Sequence, residues 1–322
     1  MKIFLLDGGL GNQAFQYIFG RFVQEVCSEP VYFDDRYFFY IDSMKYFDTN
    51  MHYQLTEVFG VKPNLLSDYF TKDVWREILD ISQDKVHFLD LLMQNGLNLD
   101  VVSEGNLVAS YSSYISSLRN HYNMNKEYPR SYSIEYTGPY SSFVVNGYHP
   151  SIAKWAGNVY YHGYWINANY FKEIRDILLD ELIFPDITDD RNSDIAEQIS
   201  HSQSIAIHVR RGDFAAANWA IKTDWYVLSI SEMKRHVSNP RFFVFSDEPG
   251  WCRENERTLG FAEGDEIVYV EGNTGKNAFR DMQLMSLCKN MIISNSSFSY
   301  LAALLNRYPD KFVLEPTGRS VV

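Results

Sequence analysis

The chain begins Met1-Lys2-Ile3-Phe4-Leu5-Leu6-Asp7-Gly8-Gly9-Leu10-Gly11-Asn12-Gln13-Ala14-Phe15-Gln16-Tyr17, and this stretch decides how the fold is read. Ile3 to Leu6 is a short unbroken apolar run, as expected of a strand covered on both faces, and it stops at a carboxylate and two glycines. Phe15, Ile18, Phe19, Phe22, Val23 and Val26 then recur three and four apart, the spacing of one helix face. Strand, glycine turn and helix in that order make a β-turn-α unit. Val31-Tyr32-Phe33 reads as a second strand ending at Asp34 and Asp35, so the chain opens as a parallel α/β sheet.

Further along, residues 51–100 carry helical periodicity, for instance at Val74, Ile78, Leu79 and Ile81. Between 105 and 165 the composition shifts to Ser, Tyr, Asn and Gly with Pro129, Pro139 and Pro150 as breakers, which predicts loops, irregular strands and a substrate-facing region. A helix is predicted over 170–182, and the charged stretch from Asp186 to Asn192 reads as a linker. Beyond it, strand-like runs at 204–209, 241–245, 266–270 and 290–294 alternate with helical segments at 224–237 and 279–288, which predicts a second doubly wound domain. The expected division is 1–185 and 186–322, in keeping with a length of 322 residues, beyond the size at which one core usually stops growing.

Composition removes several function classes. With 46% hydrophobic and 22% charged residues the chain is neither disordered nor fibrous. Lys plus Arg number 29 against 41 Asp plus Glu, a net charge of −12, which excludes a nucleic-acid binder that grips phosphate by general charge; any phosphate must be held locally. Cys27, Cys252 and Cys288 are too few and too scattered for a disulfide framework or a zinc cage, which fits a reducing cytosol. The run before Asp7 is too short for a signal peptide and no stretch is long enough to span a membrane, so the expected location is cytoplasmic, with peripheral attachment to the inner membrane face left open. Most of the 16% aromatic residues are expected in packing.

Four motifs carry chemistry. Gly9-Leu10-Gly11-Asn12-Gln13-Ala14 satisfies the dinucleotide pattern G-x-G-x-x-G/A, and Asp34 lies 20 residues past Ala14, where an acid would hold a ribose. On spacing alone this says NAD. His208-Val209-Arg210-Arg211-Gly212-Asp213 places an imidazole and adjacent guanidiniums at a strand's carboxyl end, where open α/β sheets bind ligands; paired arginines there call for an anion, with Asp213 positioned to orient one of them. Ser246-Asp247-Glu248 follows another strand and offers an acid to a base or ribose. Asn295-Ser296-Ser297-Phe298-Ser299 precedes the apolar run Leu301 to Leu305, so that serine hydroxyls and helix N–H groups can cradle a phosphate, with one serine capping the helix.

In this order the motifs resemble those of the bacterial α-1,2-fucosyltransferase family, glycosyltransferase family 11, over nearly the whole chain. The resemblance implies a GT-B-like fold, two Rossmann-type domains facing a central cleft, with GDP-fucose as donor, a galactose-ending glycan as acceptor, inversion at the anomeric carbon, no cofactor and no metal. Carried over residue by residue, it implies that Arg210 holds the β-phosphate, that His208 and Arg211 support it and that Asp213 orients the arginines. Asp247 would read the guanine, Ser296, Ser297 and Phe298 would complete the donor pocket, and Gly11 with Asn12 would face the reacting centre. No Asp-x-Asp occurs in the sequence, consistent with arginine in place of a metal. Two stretches depart from the family pattern: Tyr300-Leu301 stands where a Trp pair is usual, and Gly163 to Phe171 lacks the usual Gln-Ser-Glu-Lys. The competing readings are an NAD-dependent oxidoreductase built on the first turn and a non-catalytic glycan-binding protein.

Overall fold

The N-terminal apolar run forms β1 (Lys2–Leu5), with every residue buried, and the helix Leu10–Cys27 follows directly. The computed structural model describes residues 1–43, 52–83, 99–104, 142–145 and 147–316. Pro129, Pro139 and the Ser- and Tyr-rich stretch from 105 to 141, expected to face substrate, lie outside the described residues. Contacts divide the chain into two compact units, Met1–Thr56 with Val61–Leu178, and Glu57–Gly60 with Leu179–Val322.

The first unit holds β1, β2 (Val31–Asp34), β3 (Leu99–Glu104), β4 (Ser142–Val145) and β5 (Asn158–His162). They form one sheet in the order β2-β1-β5-β3-β4, every neighbouring pair parallel. Ile3, Leu5, Val101 and Tyr160 pack on one face with Trp75 and Ile78 of the helix Lys72–Gln83. On the other face Phe4 stacks on Tyr161 at 4.6 Å, and Phe19 of the first helix stacks on Trp165 at 4.3 Å. The aromatic surplus therefore works largely as packing here. Two expectations need correction. The irregular strands expected before residue 165 include the regular parallel strands β4 and β5. The single helix expected over 170–182 is two, Ala168–Glu173 and Arg175–Glu181, parted at Ile174, whose φ of −128° and ψ of 33° leave the helical region.

The second unit holds β6 (Gln203–Val209), β7 (Pro240–Ser246), β8 (Glu266–Val270), β9 (Asn290–Ile292) and β10 (Val313–Leu314), in the order β10-β9-β6-β7-β8 and again all parallel. Ile205, Ile207, Val209, Phe242 and Val244 pack on Tyr226, Ile230 and Met233 of the helix Thr223–His236. A sheet covered on both faces needs apolar residues at every position, which is why these strands read as continuous runs. The linker expected from Asp186 to Asn192 is partly helix: Asp189 caps Asp190–Ser200 by accepting from the Asn192 N–H at 2.9 Å. Both units are doubly wound α/β, the pair of Rossmann-type domains that the resemblance implies. Among the described residues no helix is long and apolar enough to cross a membrane.

Candidate active site

In the second sheet the chain runs outward from β6 through β7 to β8, then returns to β9 on the other side of β6. The strand order reverses between β6 and β9, and ligands of open α/β sheets bind outside the carboxyl ends of the strands at such a point. His208 lies near the end of β6, and Ser294 lies just past β9. They meet across the gap, His208 Nδ1 to Ser294 Oγ, at 2.9 Å. Burial, reinforced by the Arg210 charge, pulls the imidazole down to about 3, so the ring is neutral at physiological pH. Its carbonyl accepts from the Tyr226 hydroxyl at 3.1 Å, and Phe298 lies 5.9 Å from the ring.

Arg210 and Arg211 follow β6 and have different surroundings. Arg210 is one-third exposed, with Nη2 at 2.6 Å from Asp213 Oδ1 and Nη1 at 3.0 Å from Asp247 Oδ2. Arg211 gives its Nε to Glu248 at 2.9 Å and lays its guanidinium 3.6 Å over the Trp251 ring. Asp247 holds both residues at once, because its Oδ1 accepts the Arg211 backbone N–H at 2.9 Å. Gly212 allows this approach, since a Cβ there would stand 2.6 Å from Asp247 Oδ2. On the β9 side Ser296 caps the helix Ser297–Leu305, its hydroxyl accepting from Phe298 N–H at 3.3 Å. This is the capping serine that the sequence left unassigned, and it sets the N-terminus of the helix at the carboxyl end of the sheet.

Gly11 and Asn12 belong to the first unit, in the first turn of the helix Leu10–Cys27, which has Gly9 as its N-cap. Gly8 takes a φ of +73° in the left-handed region, and a Cβ on it would stand 2.7 Å from Asn12 Nδ2. Beside the turn Asp7 is fully buried: its Oδ1 accepts from Gln16 Nε2 at 2.8 Å, and its own N–H donates to Gln16 Oε1 at 2.9 Å. Gln16 also donates to the Gly163 carbonyl at 3.1 Å, tying the turn to the end of β5. Burial pushes the Asp7 carboxyl up to about 7.

The dinucleotide reading fails at Asp34. Its Oδ1 takes Arg36 Nε at 2.7 Å, while its Oδ2 takes Arg36 Nη2 at 2.6 Å and the Tyr160 hydroxyl at 2.7 Å. Asp34 is 1% exposed and both oxygens are engaged, so nothing remains to hold a ribose. Among the described residues no group of three or more His, Cys, Asp or Glu could hold a metal ion.

The family model described as glycosyl transferase family 11 matches residues 130–316, more than half of the chain and all of the arginine and serine motifs. The chain belongs to glycosyl transferase family 11. Among its relatives, an α-1,2-colitosyltransferase of Escherichia coli is 34% identical over 168 residues, 50% of this chain and 56% of that protein. The O-antigen biosynthesis glycosyltransferase WbnK of Escherichia coli is 25% identical over 97% of this chain and 92% of its own. Galactoside α-(1,2)-fucosyltransferase 2 of Gorilla gorilla gorilla is 27% identical over 46% of this chain and 45% of that protein. The chain thus spans about half the length of the first and third of these relatives. Among solved structures, fucosyltransferase NodZ from Bradyrhizobium aligns over 94% of this chain and 93% of its own, at 12% identity and a TM-score of 0.49.

Sequence reading passed over Ser294, Trp251, Tyr226 and the Asp7–Gln16 pair. Ser294 ends a run already read as a strand, one position before the serine motif, and that position was its available signal. Trp251 and Tyr226 carried none, since their partners are distant in the chain. In the stretch that departs from the family pattern, Asn167 caps the helix Ala168–Glu173 by accepting from Asn169 N–H at 3.0 Å.

Proposed function

We propose that the chain is an inverting galactoside α-1,2-fucosyltransferase, moving L-fucose from GDP-fucose to the 2-hydroxyl of a terminal galactose on a glycan. The observation that carries this reading is the sharing of one switch point by a neutral His208, the Arg210 guanidinium and the capped start of the helix Ser297–Leu305. As the glycosidic bond breaks, negative charge grows on the β-phosphate. Arg210 offers a planar fork to its oxygens, and the first-turn N–H groups beyond Ser296 add fixed dipoles at the same edge. These donors take the part that a metal takes in other sugar transferases. His208, uncharged, supports the phosphate as a hydrogen-bonding wall, and Asp213 sets the plane of Arg210. Asp247 is assigned to the guanine as well as to the clamp on both arginines. Gly11 and Asn12 are assigned to the reacting sugar and the incoming hydroxyl, which attacks from the face opposite the phosphate and inverts the linkage.

The test is GDP release from GDP-fucose across a panel of galactose-ending glycans. Release that depends on one of them supports the reading; glycan binding with no release supports a non-catalytic protein. The relation to a colitosyltransferase favours a second donor, GDP-colitose, whose sugar is fucose without its 3-hydroxyl, and the same assay run with it decides between the two.

A further inference from the structure

The short helix Gly212–Ala216 that follows the arginines ends in a turn that places Trp219 at the surface, 45% exposed. No other tryptophan among the described residues is so exposed. A partly exposed indole held in place beside a ligand site offers an apolar face on which a ligand can stack. This one is fixed. The Phe214 carbonyl accepts N–H groups from Trp219 at 2.7 Å and from Ala220 at 3.1 Å, and Asn218 makes the turn with a φ of +59°. From the β9 side Asn295 Nδ2 donates to the Trp219 carbonyl at 2.9 Å, tying the loop to the residue just before the capping Ser296. The Trp219 ring stands edge-on to Phe214 at 5.9 Å, and Phe214 lies 5.5 Å from the Arg210 guanidinium carbon. Phe214 thus lies beside both the guanidinium and the indole.

We propose that Trp219, backed by Phe214, is the platform for the apolar edge of the donor sugar, its C5 methyl and adjoining C–H face, and sets a preference for a 6-deoxyhexose over its 6-hydroxylated counterpart. The inference rests on the donor reading above. The hexose is joined to the leaving phosphate through one oxygen, so with that phosphate on Arg210 the sugar ring falls beside the guanidinium, where Phe214 and Trp219 stand. An aromatic wall receives a methyl group without loss, whereas an added hydroxyl laid against it loses its water and gains no partner. The same edge is present in fucose and colitose, so the wall accepts both and rejects L-galactose, which is fucose with a 6-hydroxyl.

Calorimetry with GDP, GDP-fucose and GDP-L-galactose on the wild type, Trp219→Ala and Trp219→Phe tests this, with KM for the acceptor measured alongside. Trp219→Ala should bind GDP within about twofold of wild type, bind GDP-fucose about tenfold more weakly and lose most of its preference over GDP-L-galactose, and Trp219→Phe should recover most of both. Unchanged GDP-fucose affinity would overturn the proposal, as would an equal loss for GDP and GDP-fucose, or a rise confined to the acceptor KM. A wild-type chain that does not bind GDP at all overturns the donor reading itself, and this inference with it.

Discussion

His208 Nδ1 and Ser294 Oγ meet at 2.9 Å across the point where β6 and β9 diverge, holding together the two strand ends that bound the switch point. Because burial keeps the ring's pKa near 3, the unfolded chain takes up a proton on acidification that the native chain refuses. The stability this neutral histidine contributes is whole above about 6.5 and falls away as pH drops towards 3. His162, pulled down by burial to about 4, adds to the same acid limb. The expected result is a melting temperature that falls between pH 7 and 4.5, and a slope partly flattened in His208→Gln. An identical slope in the variant would mean that the ring titrates normally in the fold.

Asp281 works in the opposite direction. Its Oδ1 accepts from Asn273 Nδ2 at 2.7 Å, and Asn273 is bonded in turn to Asn192. Burial pushes the carboxyl up to about 7 from an ordinary 3.8, so the native chain holds a proton that the unfolded chain has released, and the contribution is lost as pH rises through about 7. Asp281→Asn preserves the shape and the acceptor. It should raise the melting temperature at pH 8 and leave it unchanged at pH 4. A loss at both pH values would show that the ionised carboxylate is the form the fold uses.

Arg210→Lys keeps the charge and discards the two-pronged geometry. Loss of one comparable donor at a developing charge lowers turnover by roughly 10² to 10³. Single-turnover rates at saturating GDP-fucose are the measurement. Retention of activity within about threefold would remove Arg210 from the leaving group.

Asp247 accepts the Arg211 N–H and pairs with Arg210, so Asp247→Ala frees both residues together. Hydrogen bonds to a charged group contribute about 1.5–3 kcal/mol each, which predicts a tenfold or greater loss of GDP affinity by calorimetry. Gly212→Ala should reproduce part of that loss without touching the carboxylate, because its Cβ would stand 2.6 Å from Asp247 Oδ2 and push it aside. Full GDP affinity in both variants would reduce Asp247 to a loop anchor.

Strands β1, β2 and β6 to β9 were legible because a parallel strand covered on both faces must be apolar at every position, as Ile205-Ala206-Ile207 is. The strand β5, Asn-Val-Tyr-Tyr-His, was not. Tyrosine and asparagine are common in loops, and only the packing of Tyr161 on Phe4 makes the segment a central strand. Asp34 shows the limit for the site. The twenty-residue spacing was real, but the Tyr160 hydroxyl that engages the acid comes from 126 residues away. The arginine pair was legible at a strand's carboxyl end, whereas the different surroundings of its two members were not, because Glu248 and Trp251 approach Arg211 only through the fold.

The carboxylates around the arginines have a kinetic consequence. Arg210 and Arg211 face Asp213, Asp247 and Glu248, two cations against three anions, on a chain whose net charge is already −12. On the reading proposed above, the donor diphosphate approaches Arg210 against a repulsive field. Raising the ionic strength from about 0.01 to 0.15 M shortens the screening length from about 30 to about 8 Å and weakens that repulsion. Stopped-flow association of GDP should accordingly speed up with salt over this range, the reverse of a protein that captures phosphates by positive potential. A rate that falls throughout would place a net positive field at the mouth of the site. On that reading the close fit around Arg210, with Asp213 holding its plane, is the source of selectivity, so that the many other phosphates of a cell are not drawn in.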